Sequence, residues 1–451
     1  MLIFDTIVAL STPPYKSALA IVRLSGPKAL EILSNITTRD VSKLIPNMSY
    51  FTKIYKDKNT KSDLIDECII TYYKGPKSYT GFDSVDFSLH GSILIVDELI
   101  ETLVKYGARR ANKGEFSAQA YYNGKIDLLK AEGINDLINA NSTRARIIAT
   151  NTLSGKNTEI ITSLKNRLLE YLSQLEYFVE DQYSDEKDDY DEELDLIKSK
   201  LEEELSFINK TVEQTKIANK QYQGVNVAIV GKPNVGKSTL LNAIVGQDKA
   251  IVSPIPGTTR DIVEGEKEIK SILFRFKDTA GIRKTDDIVE NLGIERSFKS
   301  IQDADLVLLV SDEGFKELDS DGNLLEIIGT KPVIKVGTKR DLNRTNLGAD
   351  ISICSLNDDL NPLIDLMFSK LNFNTKEEAN FLGQREEDFL SKISNQINES
   401  INCISNTHQI DISSDYIRMA IATINDLMGN HVNQTMEDIY QTLFSKFCLG
   451  K

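Results

Sequence analysis

The residues best placed to do chemistry are Gly231-Lys232-Pro233-Asn234-Val235-Gly236-Lys237-Ser238, which follow the apolar stretch Val225 to Val230 without a break. Glycines let backbone N–H groups turn inward around a polyphosphate, while Lys237 can reach β and γ oxygens and the Ser238 hydroxyl can sit on Mg²⁺. A surface turn of the same composition would need neither the strand before it nor the helical run Thr239-Leu240-Leu241-Asn242-Ala243-Ile244 after it. Asn234, Val235, Gly236, Lys237, Ser238 and Thr239 are therefore the candidate phosphate-binding set, and they imply a nucleoside triphosphate.

Thr338-Lys339-Arg340-Asp341, after the apolar run Pro332 to Gly337, specifies the base. The Asp341 carboxylate can accept from both N1–H and the exocyclic amine of guanine, whereas adenine presents an acceptor where guanine has its N1 donor. The usual first residue of this motif is Asn, so the shorter Thr338 predicts a less firmly held loop. Ser355-Leu356-Asn357, after a strand expected over 350–354, is a weaker base contact, with Ser355 and Leu356 as its candidates. Between these lies Asp278-Thr279-Ala280-Gly281, which puts a carboxylate near Mg²⁺ and an amide near the γ-phosphate. Upstream, Gly257-Thr258-Thr259-Arg260-Asp261 offers a hydroxyl to the magnesium shell, Thr259 being the better placed. The residue after Gly281 is Ile282, which cannot orient water, so hydrolysis needs another polar group and another positive charge. Arg260 and Arg283 are sources of charge, unless each forms a surface ion pair. Asn234 is the third candidate, since its side-chain oxygen could ligate a monovalent cation.

Length and composition frame these motifs. A chain of 451 residues accommodates about three domains. Its 67 acidic and 53 basic residues give a net charge of -14, which argues against broad charge-driven nucleic-acid binding but leaves room for a local basic patch. Cys68, Cys354, Cys403 and Cys448 show no paired spacing, and His408 five residues past Cys403 makes no ligand set by itself, so no zinc site or disulfide framework is readable. No apolar run is long enough to span a bilayer, and a cytoplasmic protein with no membrane association is expected. Short β-rich runs such as Leu19 to Leu24 alternate with brief helices through residues 1–120, an α+β pattern. Residues 121–221 turn helical, with Leu164, Leu168, Leu172, Leu175 and Phe178 at helical spacing. The ten acids and one lysine between Glu180 and Asp195 read as a solvated face rather than a metal site. The nucleotide module fills 222–374, and a second helical stretch fills 375–451, so the module is expected to be inserted in a helical domain with its two ends close together.

Blocks at both ends carry a family resemblance. They are Asp5-Thr6-Ile7-Val8-Ala9 with Thr12-Pro13-Pro14, Ile21-Val22-Arg23-Leu24-Ser25-Gly26, Ser78-Tyr79-Thr80-Gly81, Gly114-Glu115-Phe116-Ser117, Tyr122 to Leu128, Ala131 to Ile138, and the terminal Cys448-Leu449-Gly450-Lys451. On these the chain resembles the MnmE (TrmE) family of tRNA-uridine modification GTPases. The resemblance implies a multidomain α/β and α+β fold: a Ras-like P-loop GTPase inserted in a discontinuous helical domain, preceded by a dimerising α+β domain similar to tetrahydrofolate-binding domains. It implies a homodimer that works with a flavin-dependent MnmG-type partner to add an aminomethyl-type group at C5 of the wobble uridine of certain tRNAs. A folate, 5-formyl or 5,10-methylene tetrahydrofolate, would supply the one-carbon unit. A GTP-switched ribosome or RNA assembly factor is the alternative, although such a factor would be expected to append a basic RNA-binding module.

By motif, the resemblance extends the nucleotide contacts to Ser253, Pro254, Ile255, Pro256, Gly257 and Thr258. It places K⁺ among Asn234, Ser253, Ile255 and Thr258, and makes Glu290 the water-orienting catalytic residue beside Lys237 and Asn234. Arg23, Lys125 and Lys451 match family folate contacts. Two departures stand out: Phe82 occupies the place of a glutamate in Thr80-Gly81-Phe82-Asp83, and Tyr15-Lys16-Ser17-Ala18 replaces a glycine-rich stretch. An altered folate pocket using Asp83 or Asp86 is the resulting expectation. Cys448 either packs as a small hydrophobe or supplies a thiol to the chemistry.

Overall fold

A computed structural model of the chain describes residues 4–59, 63–181, 191–232, 234–246, 265–278, 299–315, 322–339, 348–354, 359–373, 383–407, 409–429 and 443–450. The chain forms two compact units, one of residues 1–138, 152–194 and 399–451, the other of 139–151 and 195–398.

The first unit begins with a six-stranded sheet. Its strands are β1 (Ile7–Leu10), β2 (Leu19–Ser25), β3 (Ser49–Tyr55), β4 (Leu64–Tyr73), β5 (Ser84–His90) and β6 (Arg109–Arg110), in the order β3-β4-β5-β2-β1-β6. All pairings are antiparallel except β1 with β6. Alternation along β2 sends Ala20, Val22 and Leu24 into a core and leaves Leu19, Ile21 and Arg23 on the opposite face. Helices α1 (Ala29–Ile36) and α2 (Ile93–Lys105) cover that core because Ile32, Leu33 and Ile36, and Val96, Leu99, Ile100 and Leu103, recur at helical spacing. Each such fully buried side chain contributes about 1.5–3 kcal/mol.

Helices α3 (Glu115–Tyr122), α4 (Leu128–Asn139), α5 (Thr143–Leu153), α6 (Lys156–Asp181) and α7 (Asp191–Gln223) follow. The helical spacing of Leu164, Leu168, Leu172, Leu175 and Phe178 puts all five on the buried side of α6. The C-terminal segment returns to α3 and α4: Phe444 and Phe447 pack with Ala118, Leu128 and Ala131. Gly114 makes this approach possible, since a Cβ there would lie 2.1 Å from the Phe444 carbonyl oxygen, and its φ of +68° suits glycine.

The second unit holds a doubly wound sheet built from β7 (Val225–Gly231), β8 (Gly265–Ile269), β9 (Ile272–Asp278), β10 (Leu306–Ser311), β11 (Val333–Gly337) and β12 (Ile351–Ser352), in the order β12-β11-β10-β7-β9-β8. Only the β8 and β9 pair is antiparallel. The near-continuous apolar runs of β7 and β10 follow from burial on both faces. Val227, Ile229, Leu306, Leu308 and Val310 meet α8 (Lys237–Val245) and a later helix on one side, while Ala228, Val230, Val307 and Leu309 meet Leu324 and Ile328 of α9 (Gly322–Ile328) on the other. That later helix is α10 (Asn361–Lys370), with α11 (Gln384–Thr407) and α12 (Ile410–Met428) beyond it. β12 is shorter than the strand expected over 350–354, because only Ile351 and Ser352 find ladder partners, on Val336 and Gly337. Near the end of α7, the Asn219 amide donates to the Gly383 carbonyl at 3.2 Å and accepts from the Gly383 N–H at 2.6 Å.

Candidate functional site

Strand β7 has β10 on one side and β9 on the other, so the chain leaves its C-terminal end at a topological switch point, where open α/β sheets bind ligands. Gly231 ends the strand, packed so closely that a Cβ would lie 2.3 Å from the Val310 carbonyl oxygen. Gly236 precedes α8 at a φ of +103°, which an L side chain rarely adopts, and so lets the loop close onto the helix N-terminus. Asn234 also has a positive φ, +64°, a conformation Asn tolerates better than most residues.

Lys237 is buried, and its Nζ donates to the carbonyls of Gly231 at 3.0 Å and Lys232 at 3.1 Å. The ammonium thus lies along the loop backbone that would surround a polyphosphate. Val235 is buried beneath the loop, whereas Ser238 and Thr239 are exposed at the start of α8. Positive φ angles, helix-terminal N–H groups and a close cation form a donor set that fits phosphate oxygens.

The base-recognition segment is tied directly to this loop. Thr338 Oγ1 donates to the Val235 carbonyl at 2.5 Å, and its backbone N–H donates to the Ser311 carbonyl at 2.9 Å. The shorter side chain therefore still reaches the phosphate loop. Lys339, at a φ of +55°, extends its Nζ to the Asn234 carbonyl at 2.7 Å and to Asp312 Oδ2 at 2.8 Å. Asp312 is a residue the motifs did not single out. Its signal was positional: it follows the central strand β10 at the same sheet end as the phosphate loop.

Asp278 closes β9 opposite Ile229 of β7, which places its backbone beside the strand feeding the loop. The other nucleotide, cation and water candidates, Ser253, Pro254, Ile255, Pro256, Gly257, Thr258, Thr259, Thr279, Ala280, Gly281, Glu290, Asp341, Ser355 and Leu356, lie outside the described residues, as do Arg260 and Arg283.

In the first unit, Arg23 projects from the sheet face opposite the main core. It makes a two-pronged pair with Asp86, Nε to Oδ1 at 2.8 Å and Nη2 to Oδ2 at 3.0 Å, and lies 6.0 Å from the centre of the Phe116 ring. Burial works against the charge, but the Asp86 bonds and charge outweigh it and hold the guanidinium above its ordinary pKa. Tyr79 stands close by, its hydroxyl 2.9 Å from Ser117 Oγ, and burial pushes its phenol up. Asp83 is committed elsewhere. It accepts from the Gly75 N–H at 2.9 Å and the Tyr72 hydroxyl at 3.0 Å, and burial together with that bond pushes Tyr72 up to about 12. Phe82 packs edge-on against Phe4, which also meets Tyr122, so its ring joins an aromatic cluster.

Beneath the same turn, Ser25, Thr80, Ser84 and Gln119 form a buried polar network, with Ser25 Oγ 2.7 Å from Thr80 Oγ1 and Asn123 Nδ2 donating 2.7 Å to the Thr80 carbonyl. Lys125 is exposed in the turn between α3 and α4. Tyr15, Lys16, Ser17 and Ala18 are exposed, and Ser17 is anchored by a backbone bond to Gly91. Cys448 is exposed, its carbonyl accepts from the Gly114 N–H, and Ser11 Oγ donates to the Gly450 carbonyl at 3.3 Å. Lys451 lies outside the described residues. Among the described residues no helix is long and apolar enough to cross a membrane.

The family described as "GTP-binding protein TrmE N-terminus" matches residues 6–125, and the one described as "50S ribosome-binding GTPase" matches residues 226–339. The protein named tRNA modification GTPase MnmE of Thermotoga maritima is 36% identical over 467 residues, covering 99% of this chain and 100% of its own. The protein of that name from Mycoplasma mycoides subsp. mycoides SC is 35% identical over 463 residues, covering 100% of both. Among solved structures, the G domain of the T. maritima FeoB iron transporter aligns at 28% identity over 32% of this chain and 98% of that chain, with a TM-score of 0.25.

Proposed function

This chain belongs to the MnmE family of tRNA modification GTPases, and from that premise we infer how its residues carry the activity. It is a GTP hydrolase acting in modification of the tRNA wobble uridine. The observation that carries the assignment of the centre is the pair of bonds joining Thr338 and Lys339 to the Val235 and Asn234 carbonyls of the loop whose backbone also holds the Lys237 ammonium. It brings the elements expected to read phosphate and guanine to one end of one sheet.

When GTP arrives, the Lys237 ammonium exchanges its two carbonyl partners for β and γ oxygens, and the loop N–H groups donate to the same charge as it builds. Asp341 reads the guanine edge. Mg²⁺, held by Ser238 and Thr259, and K⁺, held by Asn234 with Ser253, Ile255 and Thr258, would supply positive charge where other GTPases use arginine. Glu290 orients the attacking water. The reading extends to a homodimer, to an MnmG-type FAD partner and to insertion of the GTPase in a helical domain. The Asn219 bonds to Gly383 support the insertion, since they bring the chain entering and leaving the sheet together.

A tetrahydrofolate derivative would be held at Arg23 and Asp86, with Lys125, Lys451 and the Cys448 segment. Asp83 Oδ1 is engaged by its turn, Phe82 packs with its aromatic neighbours, and both Asp86 oxygens pair with Arg23, so a heterocycle's N–H groups would share the Asp86 carboxylate with that guanidinium.

GTP hydrolysis compared in K⁺ and Na⁺ tests the cation reading. K⁺ should accelerate turnover, and Asn234→Ala and Glu290→Ala should each lower it by about 10²-fold, the usual cost of one transition-state contact. Equal rates in the two salts would overturn the mechanism.

A further inference from the structure

We propose that Asp312 is a positioning residue for GTP hydrolysis, holding the phosphate loop through Lys339 rather than touching nucleotide itself. Asp312 follows β10 and its side chain is 10% exposed, while that of Lys339 is 32% exposed. Between them the Lys339 ammonium is shared: one bond goes to Asp312 Oδ2 at 2.8 Å and one to the Asn234 carbonyl at 2.7 Å. That carbonyl belongs to a residue at a φ of +64°, a conformation that costs energy for any side chain and persists only when its surroundings hold it. Lys339 is itself at a φ of +55°, so two strained residues brace each other across one ammonium.

The carboxylate decides where that ammonium sits. Lysine has a long stem and three donors, and without a fixed anion it would go to solvent. With Asp312 in place, the cation stays over the Asn234 peptide and keeps the loop backbone in the conformation that aims its N–H groups and the Asn234 side chain. Thr338 adds a neutral bond one residue further along the loop, to the Val235 carbonyl. The guanine-reading segment therefore grips the loop at two successive carbonyls, and only one grip depends on an acid. Loosening it should release GDP faster and, on the reading of Asn234 given above, weaken the monovalent cation site.

The test is Asp312→Asn in the full-length protein, with Asp312→Glu as the conservative control. Dissociation of a fluorescent GDP analogue, followed in Na⁺, should quicken by about tenfold in Asp312→Asn, the effect of losing one charge-assisted bond. Asp312→Glu should recover most of it. Paired with Lys339→Met, Asp312→Asn should add nothing further, since both changes break one linkage. In GTP hydrolysis, the K⁺ concentration for half-maximal rate should rise about tenfold while the rate at saturating K⁺ falls much less. Unchanged GDP release in Asp312→Asn, or full additivity with Lys339→Met, would overturn the proposal. A wild-type protein indifferent to K⁺ would instead overturn the cation reading, and the GDP-release measurements in Na⁺ would still decide the role of Asp312.

Discussion

At the scale of single residues, function and stability are set by where charge is placed and what neutralises it. Arg23 with Asp86, and Lys339 with Asp312, are pairs in which a partly buried cation lies against a carboxylate. Asp136 on α4 is the opposite case. Burial, with Glu132 one turn earlier adding repulsion, pushes its carboxyl up to about 7. In an unfolded chain the same group ionises near a pH of about 4. Between those values the folded chain binds more protons, so this group's contribution to stability declines as pH rises from about 4 to about 7. Asp136→Asn should therefore flatten that decline and melt about 2 °C higher than the wild type at pH 8. Thermal melting across pH 5 to 8 checks this, and superimposable profiles for the two proteins would refute it. None of these environments can be read from sequence spacing. The motif marks Phe82 as standing in the place of a carboxylate, and only the fold shows that its ring lies against Phe4, distant in sequence.

At the scale of elements, periodicity was a sound guide wherever one face is buried. The five apolar residues from Leu164 to Phe178 mark the inward side of α6, and the alternation in β2 separates the core face from the Arg23 face. Leu168 is fully buried, so Leu168→Ala should destabilise its unit by about 2–4 kcal/mol, measured by urea denaturation. A loss below about 0.5 kcal/mol, the range of surface substitutions, would show that α6 does not pack as described. Strand β12 is shorter than the apolar pattern suggests. The run from Asp350 to Cys354 suits a strand and lies along β11, with the Asp350 N–H donating to Lys335 and the Ile353 N–H to Gly337, but only Ile351 and Ser352 pair in register, with Val336 and Gly337.

At the scale of the whole molecule, the chain's last residues complete the core of its first unit. Phe444 and Phe447 fill a cluster with α3 and α4, and the Gly450 carbonyl accepts from Ser11 beyond β1. The terminal Cys-Leu-Gly segment is thereby held against the domain that carries Arg23. Phe447→Ala should cost about 3 kcal/mol. It should also raise amide hydrogen exchange in α3, α4 and residues 448–450, while β7 and β10 of the other unit keep their protection. Uniform loss of protection in both units would contradict that separation.

Sequence alone determined the chemistry: the order of motifs from Gly231 to Asp341 specifies a GTP site, and the blocks from Asp5 to Lys451 specify the family. Local backbone rules explain this, because a phosphate loop is written in consecutive residues whose spacing survives whatever the rest of the chain does. Tertiary structure alone decided which acid each cation meets. Arg23 meets Asp86 across a strand pairing 63 residues apart, and Lys339 meets Asp312 at the ends of adjacent strands, 27 residues apart. Such pairs follow from sheet order and register, which depend on how all the strands bury their faces together and leave no mark at any one position.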